Sequence, residues 1–414
     1  MAEKKFYNNF TFVGTITVPK EESKVYEVKT WDSGWQTHKL NLSIKESATN
    51  SEFLDLTAMY TPLENNKVFL ISKDGARLEV PFKDRNNQVV LDNVSDMRKL
   101  VVDLETDQAI KSERIGLEFK IRNIERRDNK TDEDLKTLTE YRDALKILSV
   151  NKHEFLHEYD FIRFIKESVG TLSQHKVRAT GNISIEESKG KYYTKYIPKK
   201  IEIVSEEVAN TLTANYDVFF NKSSLDESAL EEDKKIFVDA YVLSYDRRAK
   251  ADRYFPKQFV FNATALDFTN PQHTSYLNML KGFFDVKSKK NYYHLVWQTA
   301  IYKGAEIVEF NESMLTQKQR ELIAFGLKTI EDFKPRNNVY GNRISEVRLI
   351  TPNLKDEFVD GAVDTGLRED DFYEMLALST QDVKAEDVKK VTVTETKTQT
   401  TSVEDQLKAL FNPS

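Results

Sequence analysis

Two distant segments of the chain carry the same pattern, Val13-Gly14-Thr15-Ile16-Thr17-Val18 and Thr180-Gly181-Asn182-Ile183-Ser184-Ile185. In each, a glycine breaks an alternating strand, and a short charged loop then leads into a second long alternating strand, residues 35–45 and 192–204. A glycine inside a strand marks a bulge or sharp bend, the device that lets one strand serve two faces of a small barrel. Two such openings predict two β-barrel modules. The expected division is 1–173, a barrel with a helical insertion; 174–350, a second barrel with a C-terminal helix; and 351–414, a tail.

The chain has 414 residues, of which 39% are hydrophobic, enough for real cores in two or three domains. It has no cysteine, which excludes disulfides, thiolate zinc sites and cysteine nucleophiles and fits a reducing compartment. Residues 1–7 hold no apolar run of signal-peptide length and no stretch reaches membrane-spanning length, so a soluble cytoplasmic protein is expected. The net charge of −6 is unevenly placed. Residues 351–414 hold 7 lysines and arginines against 14 aspartates and glutamates, whereas residues 175–303 hold 20 against 16. A near-neutral body with a mildly basic second module thus precedes an acidic tail, the usual composition of a solvated, disordered segment.

Alternation predicts a meander of strands over residues 10–18, 36–47 and 52–60, and a hairpin over 68–72 and 77–82 turned by Asp74-Gly75. Residues 100–104 and 114–124 read as further strands. The period then changes: Leu135, Leu138, Tyr141, Leu145 and Leu148 form a helical stripe, with Thr131 and Asp134 as its start. A second helix is expected over 155–169. Strands resume at 177–185, 192–204, 217–220, 236–245, 258–267 and 292–309, followed by a helix over 316–330 and a short strand over 347–350.

Three clusters combine aromatic and cationic side chains. Trp31 and Trp35 flank a Gly-containing turn, with Lys39 just beyond. Lys189, Lys191, Tyr192, Tyr193, Lys195 and Tyr196 occupy one hairpin. Arg247, Arg248, Lys250, Arg253, Tyr254 and Phe255 fill what reads as a long basic connection, and Lys289, Lys290 and Tyr292 repeat the theme. Bases stack on aromatic faces while lysine and arginine track phosphates, so interleaving the two suits a sequence-tolerant groove for single strands. The competing reading is core packing, since half of a strand's aromatics face inward, and solvated charge at hairpin tips.

His153-Glu154-Phe155-Leu156-His157 matches H-E-x-x-H, which on a helix aims two imidazoles at one zinc. Glu158 follows it, no third histidine stands at the metzincin spacing, and the third ligand would be Glu186 or Glu187 in an expected strand. A zinc-dependent hydrolase is therefore the third reading. There is no Walker loop, no G-x-G-x-x-G and no G-x-S-x-G elbow, so no cofactor is expected.

The Gly-broken first strand, the basic aromatic hairpins and the acidic tail with an apolar tip together resemble single-stranded-DNA-binding proteins, specifically a phage-encoded type with tandem oligonucleotide-binding (OB) folds. The resemblance implies a mainly β (α+β) protein of two OB-like β-barrels with inserted and linking helices and a disordered acidic C-terminal tail. It implies protection of single-stranded DNA (RNA being the alternative strand) during replication, recombination or repair, in the host cytoplasm. The tail ends in Leu407-Lys408-Ala409-Leu410-Phe411-Asn412-Pro413-Ser414 rather than in an acidic run closed by Pro-Phe. Val403, Leu407, Leu410 and Phe411 fall on one helical face, the pattern of a peptide that docks in a partner's groove. The acidic segment 356–371 is expected to compete with DNA. A structural or assembly protein using its barrels for protein contacts is the principal alternative.

Overall fold

Alternation of apolar and polar side chains dominates the chain, and strands follow from it. The computed structural model describes residues 8–61, 66–73, 75–246, 250–308, 312–334, 339–358 and 360–372. The first elements are β1 (Asn9–Thr17), β2 (Tyr26–Thr30), β3 (Gln36–Lys45), β4 (Ser51–Tyr60), β5 (Lys67–Ile71), β6 (Arg77–Pro81), α1 (Gln88–Asn93) and β7 (Leu100–Asp103). A helical hairpin, α2 (Gln108–Glu125) and α3 (Asp132–Leu148), is followed by β8 (Lys152–Phe155) and α4 (Glu158–Leu172). Then come β9 (Lys176–Ser188), β10 (Lys191–Ile203), β11 (Thr211–Phe220), β12 (Leu225–Asp226), α5 (Leu230–Asp233), β13 (Lys235–Asp246) and β14 (Ala251–Asn262). The last are α6 (Pro271–Gly282), β15 (Asn291–Val308), α7 (Gln317–Ala324), β16 (Val339–Pro352) and β17 (Val363–Arg368).

β1 is shared between two neighbours on one edge. Its first half, Asn9–Val13, pairs with β11 and its second half, Thr15–Thr17, with β3, while β9 runs antiparallel along the other edge. Gly14 stands at the change of partner. A Cβ there would lie 2.2 Å from the Lys45 carbonyl oxygen, so no side chain fits. Gly181 of β9 is equally crowded, 2.0 Å from the Ile197 carbonyl oxygen, beside the bulge between Pro198 and Lys200 of β10.

Two sets of strands surround the core. In the first, β4, β3, β1, β9 and β10 pair in that order, and β4 packs back against β10. In the second, β11 pairs with β15, β15 with β16, β16 in parallel with β14, β14 with β13, and β13 again with β11. The β1–β11 pairing joins the two, and the buried side chains form one continuous cluster from Phe10, Phe12 and Leu42 to Phe259 and Trp297. β9 and β10, expected to open a second barrel, thus lie beside β1 and β4, and the second set of strands begins at β11.

Residues 114–124, expected as a strand, lie within α2. Ile115, Leu117, Phe119 and Ile121 do alternate, but the chain buries Leu117, Ile121 and Ile124, a helical stripe, and exposes Ile115 and Phe119. Asp107 caps this helix by accepting from the Ala109 amide at 2.8 Å. The expected start of α3 is observed as a reciprocal cap: Thr131 Oγ1 accepts from the Asp134 amide, and Asp134 accepts from the Thr131 amide. The second helix runs Glu158–Leu172, later than expected, because residues 152–155 pair with β7. Beyond β16, β17 pairs with β15, and Phe372 is fully buried. Residues 363–372 therefore belong to the packed body rather than to a tail. Among the described residues no helix is long and apolar enough to cross a membrane.

Candidate functional site

The β9–β10 hairpin turns through Lys189 and Gly190, both at positive φ (53° and 71°), the two-residue turn that matches the twist of antiparallel strands. It carries Tyr192 and Tyr193 outward, 44% and 50% exposed. Successive strand residues leave the backbone on opposite sides, and Tyr192 stands edge-on to Phe255 of β14 at 5.9 Å. Tyr196 has turned inward, 5% exposed and packed on Phe10 and Phe12.

Two cavities of about 590 and 450 Å³ share Tyr192, Pro256, Lys257 and Gln258 and so form one groove over β14. Tyr241, Tyr292, Lys289 and Asn221 line the first; Tyr193, Thr194, Lys303 and Glu346 line the second. Side chains from the β9–β10 hairpin, from β14 and from residues 289–292 thereby meet, although they are far apart in the chain. The wall combines aromatic rings and cations, with Asn221, Ser223, Ser224 and Gln258 as neutral hydrogen-bonding groups.

The groove also contains carboxylates, and most are occupied by neighbours. Glu52 accepts from Lys303 at 2.8 Å. Glu346 accepts from Lys235 at 2.7 Å and Arg348 at 2.8 Å; although burial raises its carboxyl, these bonds and charges together hold it below the ordinary glutamate value. Asp239 accepts from Gln258 at 2.9 Å. Lys257 differs from the other cations. Its ammonium donates to Thr194 Oγ1 at 3.1 Å and lies 5.2 Å from the centre of the Tyr216 ring. Burial pulls it down to about 8, against the opposing pull of the Glu52 carboxylate.

The expected contacts are distributed unevenly about this groove. Tyr192, Tyr193, Lys289 and Tyr292 line it, Tyr292 being nearly buried. Lys189, Lys191, Lys250 and Lys290 are exposed, while Lys195 is held by Glu186 at 2.7 Å and Asp55 at 3.4 Å. The expected long basic connection is shorter, because β14 already begins at Ala251, paired with Asp246 of β13. Phe255 is fully buried and Tyr254 6% exposed; Arg253 is 7% exposed, paired with Asp246 and facing Glu187 at 3.7 Å. These three side chains belong to the interior, and burial with a paired charge removes them from any contact surface. Arg247, Arg248, Val403, Leu407, Leu410 and Phe411 lie outside the described residues.

Trp31 and Trp35 occupy the turn between β2 and β3, 45% and 38% exposed. Trp31 Nε1 donates to Thr37 Oγ1 at 2.8 Å, and Lys29 sits over its ring at 3.8 Å. On the same outer face, Lys39 and the exposed Met59 and Phe53 follow along β3 and β4, and Lys303 reaches over Phe53 at 5.5 Å. From Met59 to Phe53 the strand rises about 20 Å, so this face leads from the tryptophans towards the groove. Sequence reasoning missed Phe53, Met59, Tyr241, Gln258, Lys303 and Lys257; only Lys257 had a local signal, standing at the end of the basic run.

The H-E-x-x-H residues lack the helix their chemistry requires. His153 lies on β8 against Phe164 at 4.3 Å, and His157 caps α4, its Nδ1 accepting from the Tyr159 amide at 3.1 Å. Among the described residues no three histidine or carboxylate side chains are grouped to hold a metal ion. At the opposite end of the groove, Glu369 lines the first cavity, and Phe372 stacks on Tyr241 with ring centres 4.8 Å apart. The acidic segment thus reaches the groove's edge through one carboxylate. No protein-family model matches the chain, and no curated protein is detectably similar to it in sequence.

Proposed function

We propose that this protein binds single-stranded DNA without catalysing a reaction, through two OB-like barrels formed by the two sets of strands. The observation that carries the reading is the convergence of Tyr192, Tyr193, Tyr241, Lys257 and Lys289 on one groove from separate parts of the chain. A groove that carries both rings and cations accepts unpaired bases on its rings and the backbone on its cations, with little preference for sequence. A duplex hides its base faces and gains nothing from the tyrosines. The outer face of β3 and β4, with Phe53, Met59 and Trp31, continues the path. On this reading the site of action is the cytoplasm, and a phage origin fits the resemblance of the chain's layout.

Fluorescence anisotropy with labelled oligo-dT tests the proposal. Micromolar or tighter binding that weakens steeply as salt rises is expected, because phosphate contacts release counterions. Equal or tighter binding of a duplex of the same length contradicts it.

A further inference from the structure

We propose that Lys257 is the central phosphate anchor of the groove, and that binding of a phosphodiester there is accompanied by uptake of a proton from the solvent onto the Lys257 amine. The inference rests on the single-strand reading for its ligand, but its geometry stands apart from that reading. Lys257 lines both cavities where they meet, and its ammonium is bonded to Thr194, which lines the second. An ammonium has three N–H donors, and Thr194 takes one. No carboxylate lies within ion-pair distance of it among the described residues; the nearest acidic influence, Glu52, is bonded to Lys303. A desolvated ammonium with unspent donors, beside a hydroxyl in a concave site, is an oxyanion site of the kind a phosphate completes. The neighbouring ring of Tyr192 is placed to take the base next to that phosphate.

The proton follows from the surroundings of the amine. Burial holds free Lys257 at about 8, so near pH 8 about half of the molecules carry it neutral. A phosphate anion at hydrogen-bond distance restores the charged form, and the complex takes up the missing proton. Other titratable groups face the amine from every side. Glu52 comes from β4, Tyr192, Tyr193 and Tyr196 from β10 and Tyr216 from β11. Asp239 and Tyr241 come from β13, Lys303 from β15 and Glu346 from β16. Lys289, Tyr292 and Glu369 close the far end. None is a histidine; carboxylates ordinarily titrate below the window from pH 7 to 9.5, and phenols and exposed ammonium groups have ordinary midpoints of about 10 or higher, above it. Burial raises Tyr196 and Tyr216 further from it.

The test is calorimetric titration of the full chain with oligo-dT at pH 8, in two buffers of different ionisation enthalpy. Uptake of about half a proton per site is expected, with affinity falling about 25–30-fold from pH 7 to 9.5 at constant salt. K257R keeps its charge throughout, so it should bind oligo-dT at pH 9.5 better than the natural protein does, without linked uptake. Unchanged proton uptake and an unchanged pH profile in K257R overturn the proposal. Should K257R fail to fold, K257M serves: loss of the linked proton supports the anchor, and its persistence refutes it. Absence of oligo-dT binding at any pH is a failure of the single-strand reading instead. In that case the Lys257 ¹⁵Nζ resonance is titrated with inorganic pyrophosphate, where an upward move in its titration midpoint supports an oxyanion site and no move overturns it.

Discussion

At the scale of single residues, neighbouring aromatics in one hairpin have opposite duties. Tyr192 is exposed over the groove and Tyr196 is buried against Phe10 and Phe12. Tyr192→Ala is expected to cost about 1–3 kcal/mol of oligo-dT affinity and little melting temperature. Tyr196→Ala should cost about 3–5 kcal/mol of stability, as truncation of a buried aromatic does, read by thermal unfolding. Lys257 acts on stability with the opposite sign. Its folded value of about 8 lies below the ordinary lysine value, so between these values the unfolded chain holds more protons and stability rises with pH. Lys257→Met should therefore raise stability at pH 7, by on the order of 2–3 kcal/mol, and the gain should vanish as pH approaches about 10. Unfolding curves at pH 7 and 9.5 check both sign and trend. The sequence displayed the tyrosines and the basic strings but not their burial. Arg253, Tyr254 and Phe255 read as part of a basic connection, and only their pairing in β14, opposite Ser244, Leu243 and Val242, shows that they are buried strand residues.

At the scale of elements, alternation made most strands legible, and the same signal misled at α2. Residues 115–121 alternate as a strand would, but Asp107 supplies a cap, Leu117 is buried, and Ile121 and Ile124 pack against the hairpin partner's Leu138. Tertiary packing decided between two periods that the residues satisfy equally. The repeated glycine was legible as a demand for backbone approach, whereas its partners were not, because register is set by residues far away in sequence. Gly14 meets the Lys45 carbonyl across the β1–β3 edge, and Gly181 meets β10. Gly14→Val must push apart two backbones and should destabilise by about 2 kcal/mol or more, or abolish soluble expression. A variant that melts with the natural protein would show that the strand does not need its glycine.

At the scale of the molecule, β1 ties both sets of strands into one continuous sheet and core. The body extends past the point at which composition turns acidic, because β17 adds to β15 and Phe372 fills a cage of Tyr241, Tyr254 and Tyr292. Removing residues 373–414 deletes 5 basic and 7 acidic side chains and should leave the melting temperature unchanged. Removing residues 351–414 also strips β17 and Phe372 and should lower it. Composition showed where charge accumulates; it carried no information on which strand edge was open to receive Val363–Arg368. The groove was legible in its materials and not in its place, since β4, β10, β13, β14, β15 and β16 all had to be brought together to assemble it. Its occupancy is the central claim, and ultraviolet crosslinking of oligo-dT followed by peptide mapping tests it most directly. Adducts concentrated on Tyr192, Tyr193 and Tyr241, with weaker ones at Trp31, are the predicted result. Adducts confined to the α2–α3 hairpin or the β5–β6 ribbon, with the groove tyrosines unmodified, would contradict it.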